Sequence, residues 1–180
     1  WQQVLRDPKA LRADIRAHLE AENAYTKAVL AGTEDLQARL FAEMKGRIKE
    51  DDSSVPAPDG GFEYYVRYDT GAEHPIRARR PRGRADGQEE VLLDEPALAK
   101  GKAYFHVGHA GHSRDHALFA WAADEQGSEY YTIRIKDLAS GAEVGAPIES
   151  AYGDFAFSPD SRWLFWIWRD ENARPAKVFR

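Results

Sequence analysis

The chain has 180 residues, of which 43% are hydrophobic and 31% are charged, a composition typical of a folded globular domain and not of a disordered segment. Its net charge of −5 comes from acidic and basic residues mixed along the chain, which gives no support to a nucleic-acid or membrane partner. Cysteine is absent, so disulfides and thiolate metal sites are excluded. We find neither a signal peptide nor an apolar run of about 18 residues, and with the lack of cysteine this predicts a cytoplasmic location.

The first part of the chain, residues 1–52, predicts a segment with two amphipathic helices. Asp7 and Pro8 are typical of a helix start, because Asp can cap a helix and Pro is preset for the first helical position. Gly32 and Thr33 mark the end of the first helix and the cap of the second. Apolar residues recur at helical spacing in both, at Leu11, Ile15 and Leu19 and then at Leu36, Leu40, Phe41, Met44 and Ile48. Since two such stripes cannot cover each other completely, we expect them to pack on another surface.

A connector that contains two prolines and an Asp-Gly pair leads into a β region, which we assign to residues 53–180. Apolar and polar residues alternate over residues 62–68, the pattern of a half-buried strand. A turn at residues 69–71 is followed by a returning strand at residues 76–80 and by a short apolar strand at residues 91–93. Residues 61–97 therefore predict a first blade of about three strands.

The remaining residues contain a sequence repeat with two copies. Ser, Asp and Trp recur 45 positions apart, in the pairs Ser113/Ser158, Asp115/Asp160 and Trp121/Trp166. Each copy consists of a turn that contains Asp, a short strand, an acidic turn and another strand. A period of about 40–50 residues built from short strands is typical of a β-propeller blade.

The fold class that follows is mainly β with an α-helical N-terminal segment: a partial β-propeller of about two and a half antiparallel blades, preceded by two helices. The second blade has four strands over residues 104–148, and the third begins at residue 155. Because the third blade stops at Arg180 within a strand, we expect the chain to be a piece of a larger protein. Residues 163–168 are apolar on both faces, so with the outer face of this blade uncovered we expect the fragment to self-associate.

Serine-nucleophile chemistry has no support within the chain. Hydrolases of the α/β type place the nucleophile in a Gly-x-Ser-x-Gly turn, and this motif does not occur in the sequence. His112, Ser113 and Asp115 are the three residue types of a catalytic triad, but triads are assembled by the fold and not by adjacency. We interpret them as turn residues, assign no catalytic residue and expect the chain alone to be inactive.

A group of histidines and a group of arginines could each form a binding site, but we favour solvent-exposed residues in both cases. His106, His109, His112 and His116 have spacings that suit a metal site on a helix. Gly108 and Gly111 interrupt them, so we favour exposed loop histidines and assign no metal and no other cofactor. The arginines are Arg77, Arg79, Arg80, Arg82 and Arg84, and we favour a solvated hairpin over a phosphate or acidic-partner site because Glu89 and Glu90 follow.

Several segments resemble the start of oligopeptidase B (protease II), a branch of the prolyl oligopeptidase family of serine peptidases. They are residues 21–25 (AENAY), 40–48 (LFAEMKGRI), 50–56 (EDDSSVP), 62–68 (FEYYVRY), 127–131 (GSEYY) and 166–172 together with Lys177-Val178. The matches occur in order and cover essentially the whole chain.

This resemblance implies a two-domain enzyme, in which a helical segment and a seven-bladed propeller precede an α/β-hydrolase domain that is absent from this chain. The propeller would admit only short peptides, and oligopeptidase B enzymes cleave after Arg or Lys. The chain would then gate and filter substrate, with its own catalytic domain and short peptides as partners. The resemblance also implies that Glu129 forms an interdomain salt bridge in the closed state, the alternative being a solvated loop glutamate.

A different class of function remains open at this point. The chain could be a free-standing binding module that holds a protein or peptide on a small propeller-like sheet, although an open propeller would leave sheet faces and edges uncovered. A metalloprotein that uses the histidines is the weakest of the three hypotheses.

Overall fold

The computed structural model describes residues 7–84 and 88–180, so residues 85–87 of the predicted first blade lie outside the described residues. The chain divides into two compact units, residues 1–50 and 51–180. The first unit is helical, and the second consists of β-strands with one short helix. Within the described ranges, no helix combines the length and the hydropathy of a membrane span.

Two helices form the first unit, which confirms the predicted pair. A 3₁₀ turn at Pro8–Ala10 precedes α1 (Ala13–Leu30), a second 3₁₀ turn covers Ala31–Thr33, and α2 (Glu34–Gly46) follows directly. Asp7 caps the first turn, because its Oδ1 accepts a hydrogen bond from the backbone N–H of Lys9 at 3.0 Å.

The prediction that Thr33 caps the second helix is wrong. Its hydroxyl donates to the carbonyl of Leu30 at 2.7 Å and accepts from the side chain of Gln37 at 2.7 Å, so it faces the preceding helix. Over their described residues neither α1 nor α2 buries a side chain. That their apolar stripes pack on another surface stays a prediction.

The first sheet has four antiparallel strands in the order β1-β2-β3-β4. They are β1 (Ala57–Asp59), β2 (Phe62–Arg67), β3 (Ile76–Pro81) and β4 (Glu90–Asp94), and the short helix α3 (Glu95–Ala99) follows. The sequence predicted about three strands, and β1 is the additional one. Its Pro58 has no backbone N–H to donate, which an edge strand tolerates because only one of its sides is paired.

The second sheet has six antiparallel strands that neighbour one another in chain order. They are β5 (His106–His112), β6 (Leu118–Asp124), β7 (Tyr131–Asp137), β8 (Ile148–Phe157), β9 (Leu164–Arg169) and β10 (Pro175–Phe179). The long strand β8 pairs with β7 near Ile148 and with β9 near Phe155, and its register is irregular between these parts. The predicted second and third blades are therefore linked through β8. The fourth strand predicted near residue 143 is reduced to one bridge between Lys136 and Glu143.

Strand β6 is buried on both faces. On one face Phe119, Trp121 and Ala123 pack with residues of β4 and β5, in a cluster that includes Leu92 and Leu93. On the other face Ala120 and Ala122 pack with Ile133, Ala151, Phe155 and Leu164. A strand covered on both faces by neighbouring strands is what stacked propeller blades require.

The two copies of the repeated pattern form the same turn. Ser113 Oγ donates to Asp115 Oδ1 at 2.6 Å and accepts from the backbone N–H of Leu118 at 2.9 Å. The equivalent residues Ser158, Asp160 and Trp163 make the same two bonds, at 2.5 and 3.0 Å. In both turns the serine hydroxyl is the first cause of a lowered aspartate pKa, and a backbone N–H two residues further on is the second.

Ser113→Ala should lower the free energy of unfolding by about 1–3 kcal/mol, because the N–H of Leu118 and the carboxylate of Asp115 lose their common partner, the buried Ser113 hydroxyl. Ser113 has 0% of its surface exposed, so water cannot replace the hydroxyl without a rearrangement of the turn. Urea unfolding followed by tryptophan fluorescence measures the difference. Ser140→Ala, in an exposed turn, is the control; an equal effect of the two substitutions would contradict this account of the buried turn.

Candidate functional site

A cleft of about 440 Å³ opens between β5, β8 and β9, beside the residue that the family resemblance singled out. Its lining includes His106, His109, Glu129, Tyr131, Asp154 and Arg169. These residues come from four strands and one turn, which are brought together by the antiparallel order of the second sheet.

The ring of Tyr131 lies across two glycines, and only glycine fits there. A Cβ on Gly108 would lie 2.8 Å from the tyrosine ring, and a Cβ on Gly153 would lie 2.7 Å from it. Gly153 also has a φ of +90°, which side chains other than glycine rarely adopt. The ring is thereby fixed, and its hydroxyl lies 3.0 Å from His106 Nδ1. Burial, with a smaller effect of the nearby Asp124 charge, raises the pKa of Tyr131, so the phenol is neutral and can donate.

Asp124 holds the turn that carries Glu129. Its carboxylate is buried, with 2% of the residue exposed, and accepts hydrogen bonds from the backbone N–H groups of Gln126, Gly127 and Glu129 at 2.8, 3.0 and 2.7 Å. Glu129 has a left-handed φ of 59°, which a glutamate adopts only when its surroundings hold it there. The position of the Glu129 side chain is therefore set by a rigid turn.

Arg169, at the end of β9, is the partner of Glu129. Its Nη1 and Nη2 lie 3.2 and 3.1 Å from Glu129 Oε2, and Nη1 also donates to the Glu129 carbonyl. The arginine side chain is 10% exposed and the glutamate side chain 73%. The guanidinium lies 5.8 Å from the ring centre of Tyr130 and 5.1 Å from that of Tyr152, so cation–π attraction also holds it in place.

The arrangement presents one exposed carboxylate on a rigid base. Both side-chain bonds from Arg169 end on Oε2 of Glu129, so Oε1 can accept from a second cation, such as a lysine, an arginine or a free amino terminus. The cleft offers charge recognition, and the residues that line it include no serine, threonine or cysteine nucleophile.

The four histidines do not form one group. His106 and His109 line the cleft. His112 and His116 lie beside Asp59 of the first sheet, with His112 Nε2 at 3.6 Å from Asp59 Oδ2. A bulge in β5 between residues 107 and 109 contributes to this separation, since it shifts which side chains share a face.

Of the residues that resemble a triad by type, Ser113 and Asp115 lie in the predicted turn, whereas His112 is the last residue of β5. Ser113 Oγ is fully buried and bonded within its own turn, to Asp115 Oδ1 and the N–H of Leu118. His112 uses Nδ1 for the carbonyl of Ser113, not for its hydroxyl. A substrate could not reach this hydroxyl without unfolding the turn.

The arginine run is not the solvated hairpin that the sequence favoured. Arg77, Arg79 and Arg80 form ion pairs with Glu95, Glu90 and Glu63 at 2.7, 2.7 and 2.9 Å. Arg79 is 6% exposed, and Glu95 is 3% exposed. Antiparallel pairing places Arg80 opposite Glu63 and Arg79 opposite Glu90, whereas the partner of Arg77 begins helix α3. Three of the arginines therefore stabilise the first sheet.

Comparison with known proteins decides the family. The model of the prolyl oligopeptidase N-terminal β-propeller domain matches residues 3–180. The chain belongs to the prolyl oligopeptidase family. This confirms the resemblance and the partial propeller fold drawn from the sequence.

Members of this prolyl oligopeptidase family with 30–40% identity cover nearly the whole chain. Dipeptidyl aminopeptidase BI of Pseudoxanthomonas mexicana is 40% identical, over 96% of this chain and 26% of its own length. Protease 2 of Moraxella lacunata is 30% identical, over 93% of this chain and 25% of its own length. The chain therefore spans about a quarter of the length of these relatives.

Solved structures in the family agree with the fold. Oligopeptidase B from Leishmania major superimposes with a TM-score of 0.82 at 30% identity, over 98% of this chain and 25% of that one. Oligopeptidase B from Trypanosoma brucei, in a closed form with covalently bound antipain, superimposes with a TM-score of 0.81 at 31% identity. The match covers 97% of this chain and 24% of that one.

Sequence reasoning named Glu129 but missed the residues that position it. Arg169 follows a strongly apolar run and gives no local sign of a partner 40 positions earlier. Asp124 lies in the acidic turn of the first copy, and an aspartate with a glycine three positions further on, here Gly127, is a signal for a side chain that caps backbone N–H groups. The pair Gly108 and Gly153 could have been noticed as glycines inside strands, which often mark close approach.

Arg169→Ala should lower the free energy of unfolding by about 1–3 kcal/mol, because a nearly buried guanidinium loses its bonds to Glu129 and its contacts with two tyrosine rings. Glu129→Gln should cost less than about 1 kcal/mol, because that side chain is mostly exposed. Chemical denaturation measures both. Arg134→Ala, which breaks an exposed pair with Glu143, is the matched control. Equal effects at Arg134 and Arg169 would show that Arg169 does not anchor the site.

Proposed function

We propose that this chain is the N-terminal, non-catalytic part of a serine oligopeptidase whose catalytic domain lies outside these 180 residues. The observation that carries the proposal is the match of the family's N-terminal propeller domain to residues 3–180. The span of about a quarter of the length of its relatives and the absence of a Gly-x-Ser-x-Gly motif support it. The lack of cysteine supports a cytoplasmic location for the whole protein.

In the whole protein this part would gate and filter short peptides that are cut after Arg or Lys. The support is the likeness to two solved oligopeptidase B structures, at 30% and 31% identity. The exposed carboxylate of Glu129 can attract a cationic group, although the residues that would select Arg or Lys at the cleavage site belong to the catalytic domain.

A second candidate function is the release of dipeptides from a free amino terminus. The dipeptidyl aminopeptidase of Pseudoxanthomonas mexicana is the more similar of the two relatives described above, at 40% identity. A carboxylate such as that of Glu129, with one oxygen available, is a suitable partner for an α-ammonium group.

The full-length protein should cleave short peptides that contain one internal Arg or Lys, and a serine-directed covalent inhibitor should abolish the activity. Peptides with free and with acetylated amino termini distinguish the two candidates when the products are identified by mass spectrometry. Internal cleavage of both the free and the acetylated peptides supports the oligopeptidase. Dipeptide products from the free peptides, with no cleavage of the acetylated ones, support the dipeptidyl peptidase. Absence of cleavage in every peptide, or activity that resists the inhibitor, would contradict a serine peptidase.

We propose that Glu129 is the propeller side of an ion pair that forms when the catalytic domain closes on the propeller. The rigid turn at Asp124, the exposure of the Glu129 side chain and its available Oε1 support this role. One solved relative is in a closed form with bound antipain, so closure occurs in the family.

Glu129→Gln in the full-length protein should lower kcat/KM about fivefold, since a partly exposed ion pair contributes up to about 1 kcal/mol. The difference from the unmodified enzyme should shrink at high salt, because salt screens the pair. Steady-state kinetics at two ionic strengths measure this. Glu143→Gln removes a comparable exposed carboxylate and should leave kcat/KM unchanged. Identical kinetics and salt dependence for Glu129→Gln and the unmodified enzyme would eliminate the role.

The last two strands expose apolar side chains. Phe165 and Phe179 are each 42% exposed and Val178 is 70% exposed. We infer that the next blade covers them in the whole protein, and that a preparation limited to these 180 residues would associate with itself.

A further inference from the structure

A second group of polar side chains lies outside the cleft, between the first and second sheets. One nitrogen or oxygen atom from each of Asp59, His112 and His116 lies within 4.8 Å of the corresponding atoms of the other two. Asp59 ends β1, His112 ends β5, and His116 lies in the turn that follows. The proposed peptidase function makes no use of this group.

The hydrogen bond of His112 determines which of its nitrogens carries a lone pair. Its Nδ1 lies 2.9 Å from the carbonyl oxygen of Ser113, and because a carbonyl only accepts, Nδ1 carries the proton. Nε2 of the neutral ring then carries a lone pair, and it lies 3.6 Å from Asp59 Oδ2. Two electron-rich atoms at this distance repel each other unless a cation lies between them.

In both histidines, one ring nitrogen has a hydrogen-bond partner of the kind found beside metal-binding histidines. A histidine that ligates a metal through one nitrogen almost always uses the other for a carbonyl, carboxylate or similar group, which fixes the ring. The Nδ1 of His112 has the Ser113 carbonyl, and the Nδ1 of His116 lies 2.7 Å from the hydroxyl of Tyr64. Each ring therefore keeps Nε2 for a ligand.

Two separations in the group are close to those around a tetrahedral ion. The ring centres of His112 and His116 are 5.0 Å apart. Two imidazoles on one tetrahedral zinc, with Zn–N of about 2.1 Å, have centres about 5 Å apart and ligand atoms about 3.4 Å apart. The distance of 3.6 Å between His112 Nε2 and Asp59 Oδ2 is close to this separation of ligand atoms. The exposed carboxylate of Asp59 can rotate to improve the fit.

The imidazole of His116 is not needed by its turn. The equivalent position in the second copy of the turn is Ser161, with nearly the same φ, 58° against 60°. The chain nevertheless makes room for the ring, because a Cβ on Gly60 would lie 2.3 Å from His116 Nε2. Because serine suffices at this position of the turn, the imidazole serves contacts outside the turn, among them the one with Tyr64.

The charges around the group accept a cation. With both histidines neutral, Asp59 gives the group a charge of −1. The cation Arg79 lies beside the group, because its Nη1 donates to the carbonyl of His116 at 2.9 Å, and its charge is offset by Glu90 at 2.7 Å.

We propose that Asp59, His112 and His116 bind a divalent transition-metal ion of the zinc class, with water completing the tetrahedron. Two imidazoles and one carboxylate form a donor set that zinc uses in proteins. Because Asp59 belongs to the first sheet and the histidines belong to the second, the ion joins neighbouring blades. The site is structural and is independent of the proposed peptidase activity.

Isothermal titration of the protein with zinc chloride, in a buffer that does not chelate, tests the site directly. One equivalent should bind, and the midpoint of thermal unfolding should rise with zinc and not with magnesium. Cobalt(II) should give the visible absorption of a tetrahedral complex. His116→Ser, which keeps the turn because Ser161 occupies the equivalent position, should weaken zinc binding more than tenfold, as should Asp59→Asn.

His106→Gln is the matched control, because this histidine lies on the same strand but outside the group, and it should bind zinc as the unmodified protein does. Circular dichroism establishes that each variant is folded before titration. The absence of stoichiometric zinc binding between about pH 7 and pH 8 would overturn the proposal. Binding that persists unchanged in both His116→Ser and Asp59→Asn would also overturn it.

Discussion

The burial of β6 on both faces is the constraint on which the β region depends. Phe119 and Trp121 fill the space toward the first sheet, while Ala120 and Ala122 allow the strands on the other side to approach closely. A strand in this position has no free face for a ligand, because both faces exclude water. The charged and polar residues described above lie elsewhere: Glu129 is in a turn and Arg169 at a strand end, and Asp59 and His112 end their strands.

The turns combine a fixed framework with positions that vary. Ser113 and Ser158 occupy the same place in two turns that share one hydrogen-bond network. One left-handed position of the turn differs in residue type between the copies: it is His116 in the first copy and Ser161 in the second. A left-handed φ therefore does not by itself indicate function, since Ser161 has it as well; the contacts of the side chain make the difference.

Several charged residues of the β region stabilise its sheets through ion pairs with one largely buried partner. Arg79 is nearly buried, and Arg169 is buried except for a tenth of its side chain. Each guanidinium is paired with a glutamate that is more exposed than itself, so the pair carries a buried cation and an accessible anion. At Arg169 this geometry explains how the cleft presents the carboxylate of Glu129 while its base stays rigid.

The sequence by itself determined the two helices, the change to β structure, the blade repeat and the family, because these depend on local periodicity and on motifs in order along the chain. It also named Glu129 and the histidines, since residue type is visible in sequence. Only the tertiary structure decided which of them meet: Glu129 with Arg169, and His112 and His116 with Asp59. These contacts join residues between 40 and 57 positions apart, counted from Glu129 to Arg169 and from Asp59 to His116. Strand register and bulges set such contacts, and a one-residue shift would move every side chain to the opposite face.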